Sequence, residues 1–412
     1  MRTKLLTTCV MLYFAQSIMA QHISLGLANE SNIHKAILEH GINKPFLNYI
    51  PQMEFIGNEL YVATPRGLYV KDAFDISSEW SKLPITDTLV VDFEVRGDTI
   101  SVLTRDTLYL STDRGKNYST IPLETFIGDA SYDSHKLYHV SLHPNDARRI
   151  YVAYQGASYS PNFGDTWQKL PDRIDMNGTG GMSFAPSEIL SNPTDPTNII
   201  AYSNIAAYNG SYLFYSCDAG SNWSTSFFGG VVSEIYRVAF HPTDKNKMVV
   251  CGLGIYMIQE QQGQRLENIY RPDDKYHSDL LVNLYDVIYD TRNPNILYGA
   301  KIVPTEDKNI VILRSTDGGL SWEDFYTIEC KDYDYATRLA IKDNLLALYT
   351  SANGIYLLDV DAVDTSISAT ENGETMATPY YDLQGRPVAN PTRGIYIKDG
   401  RKVVIGNSPI TT

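Results

Sequence analysis

Three observations predict an all-β fold, a seven-bladed β-propeller followed by a small C-terminal β module: an apolar strand-forming segment recurring seven times, a tight-turn motif recurring at the same spacing, and a composition suited to strands and turns. The recurring segment reads Leu60-Tyr-Val-Ala, Thr99-Ile-Ser-Val-Leu, Ile150-Tyr-Val-Ala, Ile199-Ile-Ala-Tyr, Met248-Val-Val-Cys, Ile296-Leu-Tyr-Gly and Leu345-Leu-Ala-Leu. Five of the six start-to-start steps fall between 48 and 51 residues, and the first is 39. That period is one four-stranded blade. The chain holds 30 Tyr and 13 Phe, Gly and Pro punctuate it throughout, and no stretch of Ala, Glu, Leu and Lys is long enough for a large helix.

Each repeat keeps one internal order. A strand enters, a turn rich in Pro, Asn and Asp follows, and then come the apolar segment, a loop, a third strand, a second tight turn and a fourth strand. The first turn reads His143-Pro-Asn-Asp146, Asn192-Pro-Thr-Asp195, His241-Pro-Thr-Asp244 and Asp290-Thr-Arg-Asn-Pro294. Pro presets φ there and the Asx side chain bonds its own backbone. The second turn follows S-x-[DN]-x-G-x-x-[WY]. Its copies are Ser111, Asp113, Gly115, Tyr118; Ser160, Asn162, Gly164, Trp167; Ser216, Asp218, Gly220, Trp223; and Ser315, Asp317, Gly319, Trp322.

On these four copies the sequence resembles the Asp-box, or bacterial neuraminidase repeat, propellers, a group that includes sialidases, xyloglucanases, sortilin-like receptors and photosystem II assembly factors. The resemblance implies Asp-box turns in which the carboxylate bonds turn amides, Gly takes φ > 0 and the aromatic ring fills space between neighbouring sheets. It implies a structural role for those residues, and a fold far more than an activity. The first, fifth and seventh repeats lack a clean copy, and Trp80 reads as a remnant in the first.

The ends of the chain carry other signals. Residues 1–20 read as a secretory signal peptide, with Arg2 and Lys4 before an apolar run from Leu5 to Ala15 and small residues at Ser17 and Ala20. The propeller is expected over 21–361, with the repeat-free stretch after Gln21 supplying a closing strand or a capping turn. Residues 362–377 read as a Ser-, Thr-, Ala- and Gly-containing linker. Residues 378–412, with turns at Gly385 and Asp399-Gly400, form a small β module that looks like the C-terminal sorting domain of type IX secretion substrates in Bacteroidota. That likeness implies export machinery as a partner and a secreted or outer-surface location. No membrane span is expected in the mature chain. The formal net charge of -14 repels polyanions, so nucleic acid is not an expected partner. Cys217, Cys251 and Cys330, an odd set in an exported chain, are expected as buried free thiols.

One column gives the expected site. Gln52, Asp92, His139, Glu188, Arg237, Asp286 and Arg338 occupy equivalent places in the first strand of each repeat, so they should meet as a ring at one mouth of the central channel. Alternating signs fit a self-neutralising collar. They fit equally a polar ligand site, with Arg237 and Arg338 gripping a carboxylate or sugar acid and Glu188, Asp286 or His139 as candidates for proton transfer. Arg66, Arg105 and the long loops 170–181 and 268–277 should lie on the same face.

Sharper chemistries fit poorly. His139 and His143 sit roughly 13 Å apart on a strand, too far for one metal. Arg173 occupies the first-ligand position of a calcium-like loop at Asp175 and Asn177. No metal or cofactor is expected. The Phe-Arg-Ile-Pro segment of sialidases is missing, Ile269-Tyr-Arg-Pro272 being the nearest piece, and xyloglucanase-like enzymes pair two propellers where this chain has one. The favoured expectation is binding of an extracellular glycan or protein ligand at the funnel. A glycoside hydrolase or polysaccharide lyase in that funnel comes second, and a structural component of the envelope or secretion machinery third.

Overall fold

The computed structural model describes the strand Ile23–Ser24, residues 52–361 outside the loop segments 128–137, 175–181, 206–209, 230–234, 260–264, 271–283, 303–308, 331–336 and 351–353 and a few single positions, and the strands between Tyr380 and Ile405. The expected signal peptide, the linker and the calcium-like loop lie outside the described residues, as does most of the loop 268–277.

Seven antiparallel four-stranded sheets make up the unit Ala20–Val360. Their first strands are Met53–Ile56, Val90–Arg96, His139–Leu142, Glu188–Ser191, Arg237–Phe240, Leu284–Tyr289 and Thr337–Lys342. Blades 1 to 6 each run outward through four strands consecutive in sequence. Blade 7 departs from this. Its three local strands, Thr337–Lys342, Leu345–Thr350 and Gly354–Asp359, take their fourth partner from Ile23–Ser24, with Ile23 opposite Leu357 and Ser24 opposite Tyr356. Of the two roles expected for the repeat-free segment, the closing strand is the one present. The first strands of blades 7 and 1 touch, which completes a seven-bladed β-propeller and joins the ends of the ring.

Apolar side chains from facing blades bury one another. Leu103, Leu110, Val140 and Val152 meet between blades 2 and 3, and Ile200, Leu213, Val238 and Val250 between blades 4 and 5. Full burial of one such side chain contributes roughly 1.5–3 kcal/mol. The layer repeats between every pair whose cluster is described, including blades 7 and 1, where Val62, Tyr69, Ala347 and Leu357 join.

The second turns show how a short polar motif ends a blade. In all four, the Ser hydroxyl accepts the Gly amide at 2.8 Å. It donates to the Asp or Asn side chain at 2.8 to 3.1 Å. That side chain in turn accepts the amide four residues further on, from Asn117, Thr166, Asn222 and Ser321. The side chains of Asn117 and Ser321 also donate to these carboxylates, and with the amide and Ser hydroxyl bonds they pull the Asp113 and Asp317 carboxyls down to about 2. Arg114, Phe163 and Ala219 stand at positive φ just before the glycines. Trp167, Trp223 and Trp322 each donate from Nε1 to the Gly carbonyl at 3.0 Å and rest against the core shared with another blade. Trp80 packs beside the blade 7 and 1 core, but its Nε1 makes no such bond.

The first turns use an analogous acceptor in varied form. Asn192 and Asp290 accept the amides of Thr194 and Arg292, whereas His143 and His241 present ring Nδ1 to the amides of Asn145 and Asp244. Imidazole does here what the Asx side chain was expected to do.

The remaining residues from Asp361 belong to a second unit. Tyr380–Tyr381, Pro387–Val388, Gly394–Lys398 and Arg401–Ile405 form one four-stranded sheet, the last two strands pairing as a hairpin from Gly394 opposite Ile405 to Lys398 opposite Arg401. Among the described residues no helix is long and apolar enough to cross a membrane. Cys251 is buried as expected, Cys330 is half-buried, and Cys217 is exposed because it occupies the variable second position of the blade 4 turn.

Gly164 tests the turn. Its φ is +88° and a Cβ there would meet Ile121 Cδ1 at 2.3 Å. Gly164→Ala is therefore expected to lower stability by about 1–3 kcal/mol, read as a drop in thermal midpoint.

Candidate functional site

The first strand of each blade is an inner edge: one row of its backbone groups pairs with its own second strand, and the other has no strand beside it. Carboxylates in the channel supply acceptors across the gap. Glu54 of blade 1 accepts from Val95 N at 3.3 Å, and Asp92 of blade 2 from Val140 N at 2.8 Å. Glu94 accepts from Leu142 N, and Asp286 of blade 6 from Leu339 N at 2.7 Å. Each bond stitches one blade to the next.

The charged column forms the collar that these bonds fix. His139 Nε2 lies 3.5 Å from Asp92 Oδ2, Arg237 Nε 3.5 Å from Asp286 Oδ1, Arg338 Nη2 3.7 Å from Glu188 Oε1, and Arg338 Nη1 3.9 Å from Asp286 Oδ2. Charge-assisted hydrogen bonds are nearer 2.8 Å, so the three arginine contacts are Coulombic neutralisation rather than hydrogen bonds. Glu188, Asp286 and Arg338 are fully buried, while about a quarter of the Arg237 side chain, 26%, stays accessible.

Burial sets the protonation states. It lowers the His139 imidazole to about 4, with Arg237 and Arg338 acting in the same sense and Glu188 against them. The ring is thus neutral at physiological pH. Burial also drives the Asp92 carboxyl well up, assisted by Glu188 and Glu94 and opposed by the Val140 amide. It pushes Asp286 up against the pull of Arg237 and Arg338. Glu188 goes the other way, because His139, Arg338, Arg237 and the Tyr202 hydroxyl outweigh its burial.

A second layer lies two residues further along each strand, on the same face because strand side chains alternate. Glu54, Glu94 and Ser141 occupy it in blades 1 to 3, and Leu190, Ala239 and Ile288 in blades 4 to 6. Arg96, one step beyond, bridges the acidic half, with Nη1 2.9 Å from Glu54 Oε1 and Nη2 against Glu94 Oε1. Burial raises the Glu94 carboxyl despite that guanidinium.

Between these layers lies a cavity of about 350 Å³. Gln52, Asp92, His139 and Arg237 line one end, and Pro193, Pro242 and Thr291 of the first turns line the other. Glu188, Asp286 and Arg338 stand behind the lining. Arg66 and Arg105 sit in the turns between second and third strands, at the end of the blades where the collar lies, and neither lines the cavity. His143 is turned into its own hairpin, and no cluster of three or more metal-ligating side chains occurs among the described residues. Glu54, Glu94 and Arg96 escaped the sequence reading, although stepping two residues from Gln52 and Asp92 would have found them.

No family model matches the chain, and no curated protein matches it. Solved structures do. The chain is similar to the structure described as YCF48 bound to D1 peptide, with TM-score 0.52 and 14% identity over 82% of this chain and 94% of that one. It is similar to the Cps50 (Swd1) β-propeller domain of Myceliophteria thermophila, with TM-score 0.54 and 12% identity over 76% and 96%. An ancestral GH74 enzyme matches with TM-score 0.52 and 12% identity over 87% of this chain, which spans 50% of that enzyme. At such identities the likeness defines the class: a seven-bladed β-propeller.

Two measurements check the collar. The His139 ring should stay neutral in an NMR titration until about pH 4. Because folding lowers its pKa, the neutral ring's contribution to stability is complete above the ordinary value of 6.5 and is lost as pH falls toward 4. Asp286→Asn should cost about 3–5 kcal/mol in denaturant unfolding, since the fully buried Arg338 and the partly accessible Arg237 lose the carboxylate they share.

Proposed function

We propose that this chain is an exported propeller of the Asp-box type that binds an extracellular protein or glycan ligand in its central funnel and is sorted to the outer surface by residues 378–412. The observation that carries this reading is the division of labour in the channel. Glu188, Asp286 and Arg338 offset one another behind the lining, while the cavity beside them keeps one polar and one apolar wall, as a ligand pocket requires. Glycoside cleavage needs two carboxyl groups flanking the scissile bond. Glu188 and Asp286 are sealed from the cavity by the lining. The similar propeller whose solved structure holds a D1 peptide favours a protein ligand within the reading.

Support for the Asp-box family comes from the repeated Ser, Asp and Gly bonding of four turns and their aromatic clasps. The signal-like residues 1–20 and the sorting-like tail support export. A second reading, a glycan-active enzyme, draws on Glu94, a cavity-lining carboxyl raised by burial beside Glu54.

A glycan array, a screen against extracellular proteins and a hydrolysis assay on the exported chain separate these. Binding without turnover is expected. Turnover abolished by Glu94→Gln or Glu188→Gln would transfer the assignment to the enzyme reading. Deleting residues 378–412 should abolish surface display, scored by labelling intact cells, and unchanged display would remove the sorting role.

A further inference from the structure

The two walls of the cavity differ in kind. Glu54, Asp92 and Glu94 crowd the side built by blades 1 and 2, while Leu190, Ala239 and Ile288 face them from blades 4 to 6. Arg96 is already spent on Glu54 and Glu94, and Arg237 is held by Asp286, yet carboxylates still outnumber guanidinium groups across the collar and the second layer. Asp92 accepts the Val140 amide and lies 3.5 Å from the His139 ring, while burial beside Glu188 and Glu94 drives its carboxyl up, so a cation placed there would favour its ionised form.

The floor supplies an independent pointer. His139 is 8% exposed and lines the cavity, and its Nδ1 has no hydrogen-bond partner. With Nε2 carrying its proton toward Asp92, Nδ1 is an acceptor awaiting a donor. A buried acceptor left unmet is destabilising, and a donor on a ligand would relieve it.

We propose that the cavity receives an alkylammonium group, a linear aliphatic stem ending in a protonated amine, whose head meets Asp92, Glu94 and His139 Nδ1 while its stem lies along Leu190, Ala239 and Ile288. Such a group reaches the channel either as a free diamine or as a lysine side chain presented by a protein partner. An aliphatic stem suits the apolar wall, and the ammonium supplies both a positive charge and a donor. Pro193, Pro242 and Thr291 of the first turns line the far end of the cavity. This assignment rests on the funnel being the binding site, and it specifies what enters.

Calorimetric titration of the exported chain with cadaverine, with a blocked Gly-Gly-Lys-Gly-Gly peptide and with glutarate as the anionic match in length tests it. Cadaverine or the peptide should bind, the tighter of the two naming the source, and glutarate should give no heat. Glu94→Gln should weaken binding by about tenfold, the usual scale for losing one charge-assisted contact. Ala239→Phe, which fills the apolar wall and leaves every ion pair in place, should abolish it while the thermal midpoint confirms folding. No binding by either amine, or equal binding in both variants, overturns the assignment. Binding of a glycan or a lysine-free protein that Ala239→Phe abolishes would overturn the cation and keep the funnel. Binding of such a ligand indifferent to Ala239→Phe would remove both.

Discussion

Everything in the channel follows from the inner edge of a radial sheet. A strand that ends a sheet leaves amides unpaired, and in a closed ring seven such strands point them at one another across gaps too wide for a ladder. Carboxylates of suitable length bridge those gaps at Val95, Val140, Leu142 and Leu339. Once carboxylates are placed for that reason, cations must follow them, and Arg96, Arg237 and Arg338 are those cations. A charged column in a propeller is thus first a solution to a backbone problem, and any ligand chemistry is built on what that solution leaves over.

What is left over sits on the side of the acidic second layer. On its Arg338 and Asp286 side the collar has little to offer a ligand, because these two are wholly enclosed and face each other. The cavity gains its character from the step in polarity between Glu54 and Glu94 on one wall and Leu190 and Ile288 on the other. That asymmetry breaks the sevenfold repeat, and a site for one particular ligand requires such a break.

The ring was legible because its signals are periodic. Apolar strands and four glycine turns recur at one spacing, and each copy vouches for the others. The collar could be read for the same reason, as a column at one register of the first strands. The second layer was harder, since Leu190, Ala239 and Ile288 look like any other strand residues and only the closed ring sets them opposite Glu94. The bridging of Glu54 and Glu94 by Arg96 was invisible, because side-chain reach across a channel has no trace in spacing. The closing strand could be expected only from the repeat-free stretch before the first blade and not located within it, because two residues are too few to show a period.

That short strand has a consequence for how the molecule comes to exist. Blade 7 joins Ile23 to Leu357, so the earliest-made part of the ring must wait for nearly the last before it can dock. Until then the nascent chain is an unlatched arc whose final sheet lacks its outer rail. Sealing the circle therefore needs a contact between residues at opposite ends of the ring's sequence, which carries the entropy cost of a long loop closure and can form only once the seventh blade exists.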